Sequence, residues 1–323
     1  MKCWPRNHTE THGVCRWLVW WFARPYVSPT LKGLAAAIGG IALLTANDAV
    51  SKFLTQSFPV GQVICLRQAA TLLVIVPYVM LVTGWGALRV VSWPGQLTRG
   101  MLFVAGATLM VLGLSLLPLA TVITIMFASP SFIAAFSMPL LAERVSLSRW
   151  IAILAGFVGV LIVVRPGATT FEWALLIPVA GSLTNALRDI MTRRLSRRET
   201  SVAILFWSAV IVTVTSAATA PFGWRPVPAV AAAWFVAVGI LNAGAHFMLI
   251  EAFRLGEAAL IAPVRYTALI WATLLGYLIW NQLPDAWVLL GAAVIVGSGL
   301  YMVRAESRPK SRMQPQMNAD KRG

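Results

Sequence analysis

Between Thr30 and Arg304 the chain repeats one pattern about ten times: some twenty apolar residues, then a short polar or turn-forming break. The apolar stretches fall at 31–52, 61–83, 98–116, 119–141, 147–165, 171–192, 201–220, 229–250, 258–280 and 285–303. At a rise of about 1.5 Å per residue, helices of this length cross a hydrocarbon layer of about 30 Å. Pro59, Gly84, Pro94, Pro118, Pro166-Gly167, Pro221, Pro226, Pro228 and Pro284 stand at the breaks, where turn formers belong. The pattern predicts an all-α integral membrane protein with ten transmembrane helices.

Charge is distributed by connection. With the N-terminus placed inside, 20 of the 26 Lys and Arg fall on the inner side: five at the N-terminus, six at the C-terminus, and Arg89, Arg99, Arg144, Arg149, Arg193, Arg194, Arg197, Arg198 and Arg254 counted with the inner loops, Arg99 and Arg149 among the first residues of their stretches. Lys52, Arg165 and Arg225 fall outside, and Arg67, Arg188 and Arg265 lie within stretches. Basic residues gather on the cytoplasmic side of membrane proteins, so both termini are expected there, which requires an even number of crossings. A bacterial inner membrane is the expected location.

Composition agrees. The chain is 59% hydrophobic and 11% charged, with mean hydropathy +0.77, too apolar to clothe a water-soluble surface. Its net charge of +15 sits in loops and termini, where topology and anionic lipid account for it, so no nucleic-acid partner is expected. Cys3, Cys15 and Cys65 form no disulfide or metal pattern, and neither metal nor cofactor is expected. Residues 1–29 read as a basic, aromatic leader, too short in its apolar run Trp17–Phe22 to span. Residues 305–323 read as a disordered basic tail.

A weak internal repeat divides the chain at 30–167 and 168–304. At an offset of 141, Gly40, Asp48 and Lys52 meet Gly181, Asp189 and Arg193. At an offset of 138, Leu117, Ala120, Leu140, Ala155 and Gly159 meet Leu255, Ala258, Leu278, Ala293 and Gly297. Because each half holds five stretches, an odd number, the second half is expected upside down relative to the first. Inverted repeats of this kind build many secondary transporters, with the substrate near mid-bilayer.

Several segments carry a family resemblance. Leu117-Pro118-Leu119-Ala120-Thr121, Ala128-Ser129-Pro130 and Leu140-Leu141-Ala142-Glu143-Arg144 are followed by Gly156-Phe157-Val158-Gly159-Val160 and Val164-Arg165-Pro166-Gly167. Over about residues 31–303 the chain resembles the EamA-type members of the drug/metabolite transporter superfamily. The resemblance implies two inverted five-helix EamA-like repeats, a small-molecule substrate and no enzymatic activity. Ala186-Leu187-Arg188-Asp189-Ile190 followed by Thr192-Arg193-Arg194-Leu195 is similar to the vitamin-type branch, which implies riboflavin or a related heteroaromatic as cargo. In the second repeat Asn281 stands where the family usually repeats the acid Glu143.

Substrate or gating candidates are the polar residues that lipid would otherwise exclude. Asn47, Asp48 and Lys52 lie late in stretch 1, with Asp48 and Lys52 one turn apart and able to neutralise each other. Arg188 and Asp189 are their counterparts in stretch 6; adjacent helical residues point about 100° apart, so these two are not expected to pair. Arg67 and Arg265 lie within stretches 2 and 9, about two turns from an end, where snorkelling competes with a functional role. Arg265 adjoins Tyr266 and follows Pro263, a set suited to an anionic or planar group.

Ser129 and Pro130 sit in the middle of stretch 4, where the proline should free the Met126 carbonyl and mark either a cavity wall or a packing kink. Asn242, His246 and Trp271 complete the substrate candidates; Trp207 and Trp234 also lie deep. Asp48, His246 and Glu251 are the groups able to couple flux to a proton gradient, with Glu251 alternatively paired to Arg254.

The expected function is secondary transport by alternating access. Export of amino acids, metallophores or drugs within the same superfamily is the alternative, and a membrane-embedded lipid-processing enzyme a more distant one. The enzyme lacks clustered acids, paired His or an HExxH, DxxD or GxSxG motif. A homodimer is a further expectation.

Overall fold

The computed structural model describes residues 29–141, 147–165, 172–196, 198–255 and 262–307. Among them the regular structure is helical: α1 Pro29–Thr55, α2 Val60–Tyr78, α3 Trp93–Leu116, α4 Leu119–Met126, α5 Ser129–Leu141, α6 Leu147–Val164, α7 Leu176–Leu195, α8 Ser201–Ala217, α9 Ala229–Leu255, α10 Ala268–Trp280 and α11 Ala286–Ser307. Four helical segments are long and apolar enough to cross a membrane: Leu31–Thr55, Val60–Thr83, Trp93–Leu116 and Ala229–Leu249. Five shorter apolar ones accompany them, and α7, which carries Arg188 and Asp189, completes the order. Helix α11 runs to Ser307, past the expected start of the tail.

Two of the expected stretches are not continuous helices. The fourth is divided into α4 and α5 at Phe127–Ala128, and the ninth opens with a tighter 3₁₀ segment, Ala262–Thr267, before α10. Pro130 therefore does not interrupt a helix in mid-course. It stands in the first turn of α5, where a missing N–H costs nothing.

Caps set the helix limits. Ser92 accepts from the Gly95 N–H at the start of α3 with Pro94 in its first turn, and Thr200 caps α8 through Ala203. Asn281 ends α10 in the left-handed region (φ 55°), which Asn tolerates better than Glu does. That requirement is a physical reason for amide rather than acid at this position.

The helix pairings are symmetric between the two parts of the chain. Helix α1 packs most extensively on α9, and α7 on α3; α2 packs on α9, and α8 on α3; α10 packs on α1, and α5 on α7. The remaining large contacts, α2 with α8 and α6 with α11, join counterparts directly.

Local sequence explains the match. Gly106-Ala107-Thr108-Leu109-Met110 recurs 138 residues later as Gly244-Ala245-His246-Phe247-Met248. A methyl at Gly40 would lie 3.1 Å from the Ala245 carbonyl, and one at Gly181 would lie 3.4 Å from Leu109 Cβ. Small residues thus bring backbones together on both sides, as membrane helices require where no hydrophobic force acts between them.

The connections fall into two groups. Those after α1, α3, α6, α8 and α10 meet at one end: Gln62 exchanges two hydrogen bonds with the Arg225 backbone (2.7 and 3.0 Å), Arg225 donates to the Ser57 carbonyl (2.8 Å), and Arg165 pairs with Asp285. Those after α2 and α7 meet at the other, where Glu199 accepts from the Val91 and Ser92 N–H groups (3.1 and 2.9 Å) and from the Gln96 amide. Burial pushes the Asp285 carboxyl up, but the Val288 N–H and the Arg165 guanidinium outweigh it and hold it below the usual carboxylate range.

A Gly159→Leu substitution should reduce the yield of monodisperse protein and lower its melting point in detergent. A Cβ there would lie 2.6 Å from Ile295 and 3.0 Å from the Gly291 carbonyl across the α6–α11 contact, and overpacking of this kind costs about 1–3 kcal/mol. Unchanged size-exclusion and melting profiles would contradict the packing described.

Candidate functional site

Helix α1 places Asn47, Asp48, Ser51 and Lys52 on buried surface. Asn47 Nδ2 donates to Asp48 Oδ1 (3.2 Å) and the Ser51 hydroxyl donates to the Asn47 carbonyl (2.8 Å). Arg67 enters from α2 and donates to Ser51 Oγ (3.3 Å); its charge acts on Asp48. It is only 8% exposed, so it does not snorkel.

From Arg67 a polar line continues into α9. Thr71 donates to the Arg67 carbonyl (3.0 Å), Asn242 Nδ2 donates to Thr71 Oγ1 (3.2 Å), and His246 Nδ1 lies 2.8 Å from the Asn242 carbonyl. A carbonyl only accepts, so Nδ1 carries a proton.

Lys52 does not pair with Asp48. Its ammonium turns to the end of α3 and donates to the Leu114 and Leu117 carbonyls (2.7 and 2.5 Å), 5.4 Å from the centre of the Trp280 ring. The last carbonyls of a helix have no partners of their own and carry its negative pole, so a buried cation is better satisfied there than by a carboxylate held elsewhere.

A second cluster gathers α7, α3 and α8. Contrary to the expectation that neighbours diverge, Arg188 donates twice to Asp189 Oδ1 (3.1 and 2.9 Å). The Cβ vectors do diverge, but the long arginine stem curls back, with its guanidinium 5.4 Å from the centre of the Phe103 ring.

Arg99 is not a loop residue. It lies in the second turn of α3, 7% exposed, and donates through Nε to Thr192 Oγ1 (2.7 Å) and through Nη1 to Ser208 Oγ and the Ile204 carbonyl (3.3 Å). Arg67 and Arg188, one from each cluster, both act electrostatically on His246. Sequence reasoning counted Arg99 with the inner connections and did not single out Glu199, which lies between stretches 6 and 7; their one legible signal was nearness to a helix start.

The third group surrounds the two helix breaks. Phe127 at the α4–α5 break meets Tyr266 of the 3₁₀ segment edge-on, ring centres 5.2 Å apart. Ser129 is buried beside the break, Pro130 half-buried, and Tyr266 packs its hydroxyl against Gly299 of α11. Arg265 is exposed, in the same 3₁₀ segment. Trp271, one turn into α10, has its indole N–H buried with no hydrogen-bond partner among the described residues; Arg67 Nε and Asn47 Oδ1 are in the same condition.

Trp207 is not deep: it donates to the Leu88 carbonyl (2.9 Å) near the end of α8. Trp234 packs at a tilt against Phe53, ring centres 5.8 Å apart, and is exposed. Glu143 and Arg144 lie outside the described residues, as do the Glu251 and Arg254 side chains. A separate cavity of about 260 Å³ at the end carrying Pro118, Arg165, Glu172 and Asp285 is lined by none of the substrate or gating candidates, although it includes Leu117, whose carbonyl holds Lys52.

Polar clusters between apolar helices, and two helix breaks that touch through Phe127 and Tyr266, fit a membrane protein of the solute-transporter class. The chain belongs to the EamA-like transporter family, whose model matches it twice, over residues 31–165 and 172–304. It is 28% identical over 290 residues to an S-adenosylmethionine uptake transporter of Rickettsia bellii, covering 88% of this chain and 99% of that one. It is 30% identical over 274 residues to a riboflavin transporter of Rhizobium johnstonii (84% and 90% covered), and 23% identical over 280 residues to a pseudopaline exporter of Pseudomonas aeruginosa (85% and 97%). One solved crystal structure shares the fold, with TM-score 0.60 at 18% identity over 86% of this chain and 98% of that one. These are transporters rather than enzymes, which removes the lipid-processing alternative.

Lys52 and Asp48 should behave as independent sites in a double-mutant cycle of Lys52→Met and Asp48→Asn. Removing the cap from the α3 carbonyls should cost about 1–3 kcal/mol on its own, with coupling below about 0.5 kcal/mol by detergent melting. A strongly non-additive cycle would restore the ion pair.

Proposed function

We propose that this protein is a secondary carrier of a small heteroaromatic metabolite, crossing a bacterial inner membrane ten times as two inverted five-helix halves, with both termini cytoplasmic. The symmetric pairing of α1–α6 with α7–α11 supports the two halves, and five stretches in each supports their inversion. The sparing use of Lys and Arg at the end holding Arg165 and Arg225, against Arg89, Arg194 and Arg198 at the other, supports the orientation.

The observation that carries the reading is the meeting of the two broken stretches at Phe127 and Tyr266. Discontinuous helices at membrane depth are tolerated where they face protein or a watery cavity, and in inverted-repeat carriers they form the substrate site. Phe127, Tyr266 and Trp271 offer faces for a planar ring, while Arg265 and Ser129 offer a charge and a hydroxyl. Both S-adenosylmethionine and riboflavin, the cargoes named for relatives, contain a planar nitrogen heterocycle. Alternating access then consists of one half rocking against the other around this centre, with Asp48 and His246 as the groups able to bind a coupling proton. The pseudopaline exporter supports movement in the opposite direction.

Purified protein in vesicles should take up labelled riboflavin or S-adenosylmethionine, faster under an imposed pH gradient, and loading the vesicle interior instead reads export. Arg265→Ala and Tyr266→Ala should each cost about 2 kcal/mol, roughly 30-fold in kcat/KM, at normal expression. Undiminished transport in both variants would remove the site from between the breaks, and no flux of either cargo in either direction would remove the cargo class.

A further inference from the structure

An offset of 141 carries Asn47, Asp48, Ser51 and Arg67 onto Arg188, Asp189, Thr192 and Ser208. The bonds carry over with the residues. In the first cluster the side chain preceding the aspartate donates to its Oδ1, and so it does in the second, Arg188 replacing Asn47. In the first, the hydroxyl one turn on, Ser51, receives a guanidinium from Arg67. In the second, the matching hydroxyl, Thr192, also receives a guanidinium, although the residue in the place of Arg67 is a serine.

That guanidinium belongs to Arg99, which reaches across from α3 and donates to both Thr192 and Ser208. Ser208, wholly buried, vacates the volume an arginine would fill, and Arg99, itself 7% exposed, occupies it from the neighbouring helix. The electrostatics differ in one respect: Arg188, already bonded to Asp189, repels Arg99, whereas the neutral Asn47 does not repel Arg67.

We propose that Arg99 is the second half's counterpart of Arg67, a positioning residue delivered from α3 instead of α8, and that transport requires the pair. The functional part rests on the carrier reading above. If the two halves exchange roles in the cycle, bonds loosened on one side must be matched by bonds formed on the other. A half whose hydroxyl pair at Thr192 and Ser208 has lost its guanidinium would leave one facing state strongly favoured, and turnover would fall through that skewed population rather than through substrate contact. Arg99 therefore governs the exchange between states, and its loss lowers maximal flux with little change in KM.

The test moves the guanidinium. Arg99→Ala, Ser208→Arg and the double variant Arg99→Ala/Ser208→Arg are reconstituted beside the unaltered protein. Counterflow of labelled riboflavin and of S-adenosylmethionine is measured per folded carrier, and melting is followed in detergent. Arg99→Ala should lose at least about tenfold in maximal flux with KM held within about threefold, and the double variant should recover most of that flux. Ser208→Arg alone, which crowds a second guanidinium beside Arg99, should melt lower than either the unaltered protein or the double variant. A double variant no better than Arg99→Ala, or an Arg99→Ala carrier of normal flux, overturns the proposal. Should the unaltered protein move neither probe, the cargo reading fails by itself. The melting arm then decides the counterpart assignment, which stands only if the double variant regains at least roughly half of the temperature lost by Arg99→Ala.

Discussion

Inside hydrocarbon no water is present to satisfy a polar group, so every buried donor, acceptor and charge must find its partner within the protein. The structure is organised around that demand. Lys52 fastens itself to the open carbonyls at the end of α3, and Glu199 gathers the free N–H groups at its start together with the Gln96 amide. One helix thus has a cation at its negative pole and an anion at its positive pole, each supplied by a segment distant in sequence. Such contacts answer the helix dipole and tie α3 to α1 and to the α7–α8 connection in the same act. Gln62, matched against both backbone groups of Arg225, serves the opposite end in a neutral form.

The demand is visibly unmet in a few places among the described residues; three lie on helices α1, α2 and α10, and the others are Gln96 on α3 and Arg165 and Gln282 in connections. Arg67 Nε, Asn47 Oδ1 and the Trp271 indole N–H are buried without partners among the described residues. The α4–α5 break and the 3₁₀ segment before α10 interrupt helical bonding and touch through Phe127 and Tyr266. A bundle built only for stability would have closed these gaps with apolar side chains. Asn47 and Arg67 stand at one end of the polar line that runs from Asn47 to His246.

Much of this was legible before the fold was known. The apolar ladder announced membrane helices because a crossing needs a fixed length of apolar residues, and that length can be counted. Gly40 and Gly181 were flagged as a repeat pair and prove to make equivalent close approaches to α9 and α3. Asp48, Arg67, Asp189, Asn242 and His246 were singled out because lipid tolerates them only for cause; Asp48 and Arg67 lie buried, Asn242 and His246 continue the line from Arg67, and Asp189 pairs with Arg188 while partly exposed. Less legible were the partners. Lys52 read as the mate of Asp48 because it lies one turn away, yet the stronger demand came from carbonyls more than sixty residues on. Arg188 and Asp189 read as divergent because backbone geometry alone was considered, while the reach of an arginine stem was not. Arg99 read as loop because the apolar count begins just beside it.

Chain order and hydropathy determined that this is a helical membrane protein, since that depends on local periodicity and segment length, and the motif resemblance pointed to the EamA-like family that the family match then showed. Which charge answers which pole, where a helix breaks, and that Arg99 stands in the place left open by Ser208 were decided only by the tertiary structure. Those outcomes depend on competition among partners brought together from distant parts of the chain, and no spacing along the sequence records who wins it.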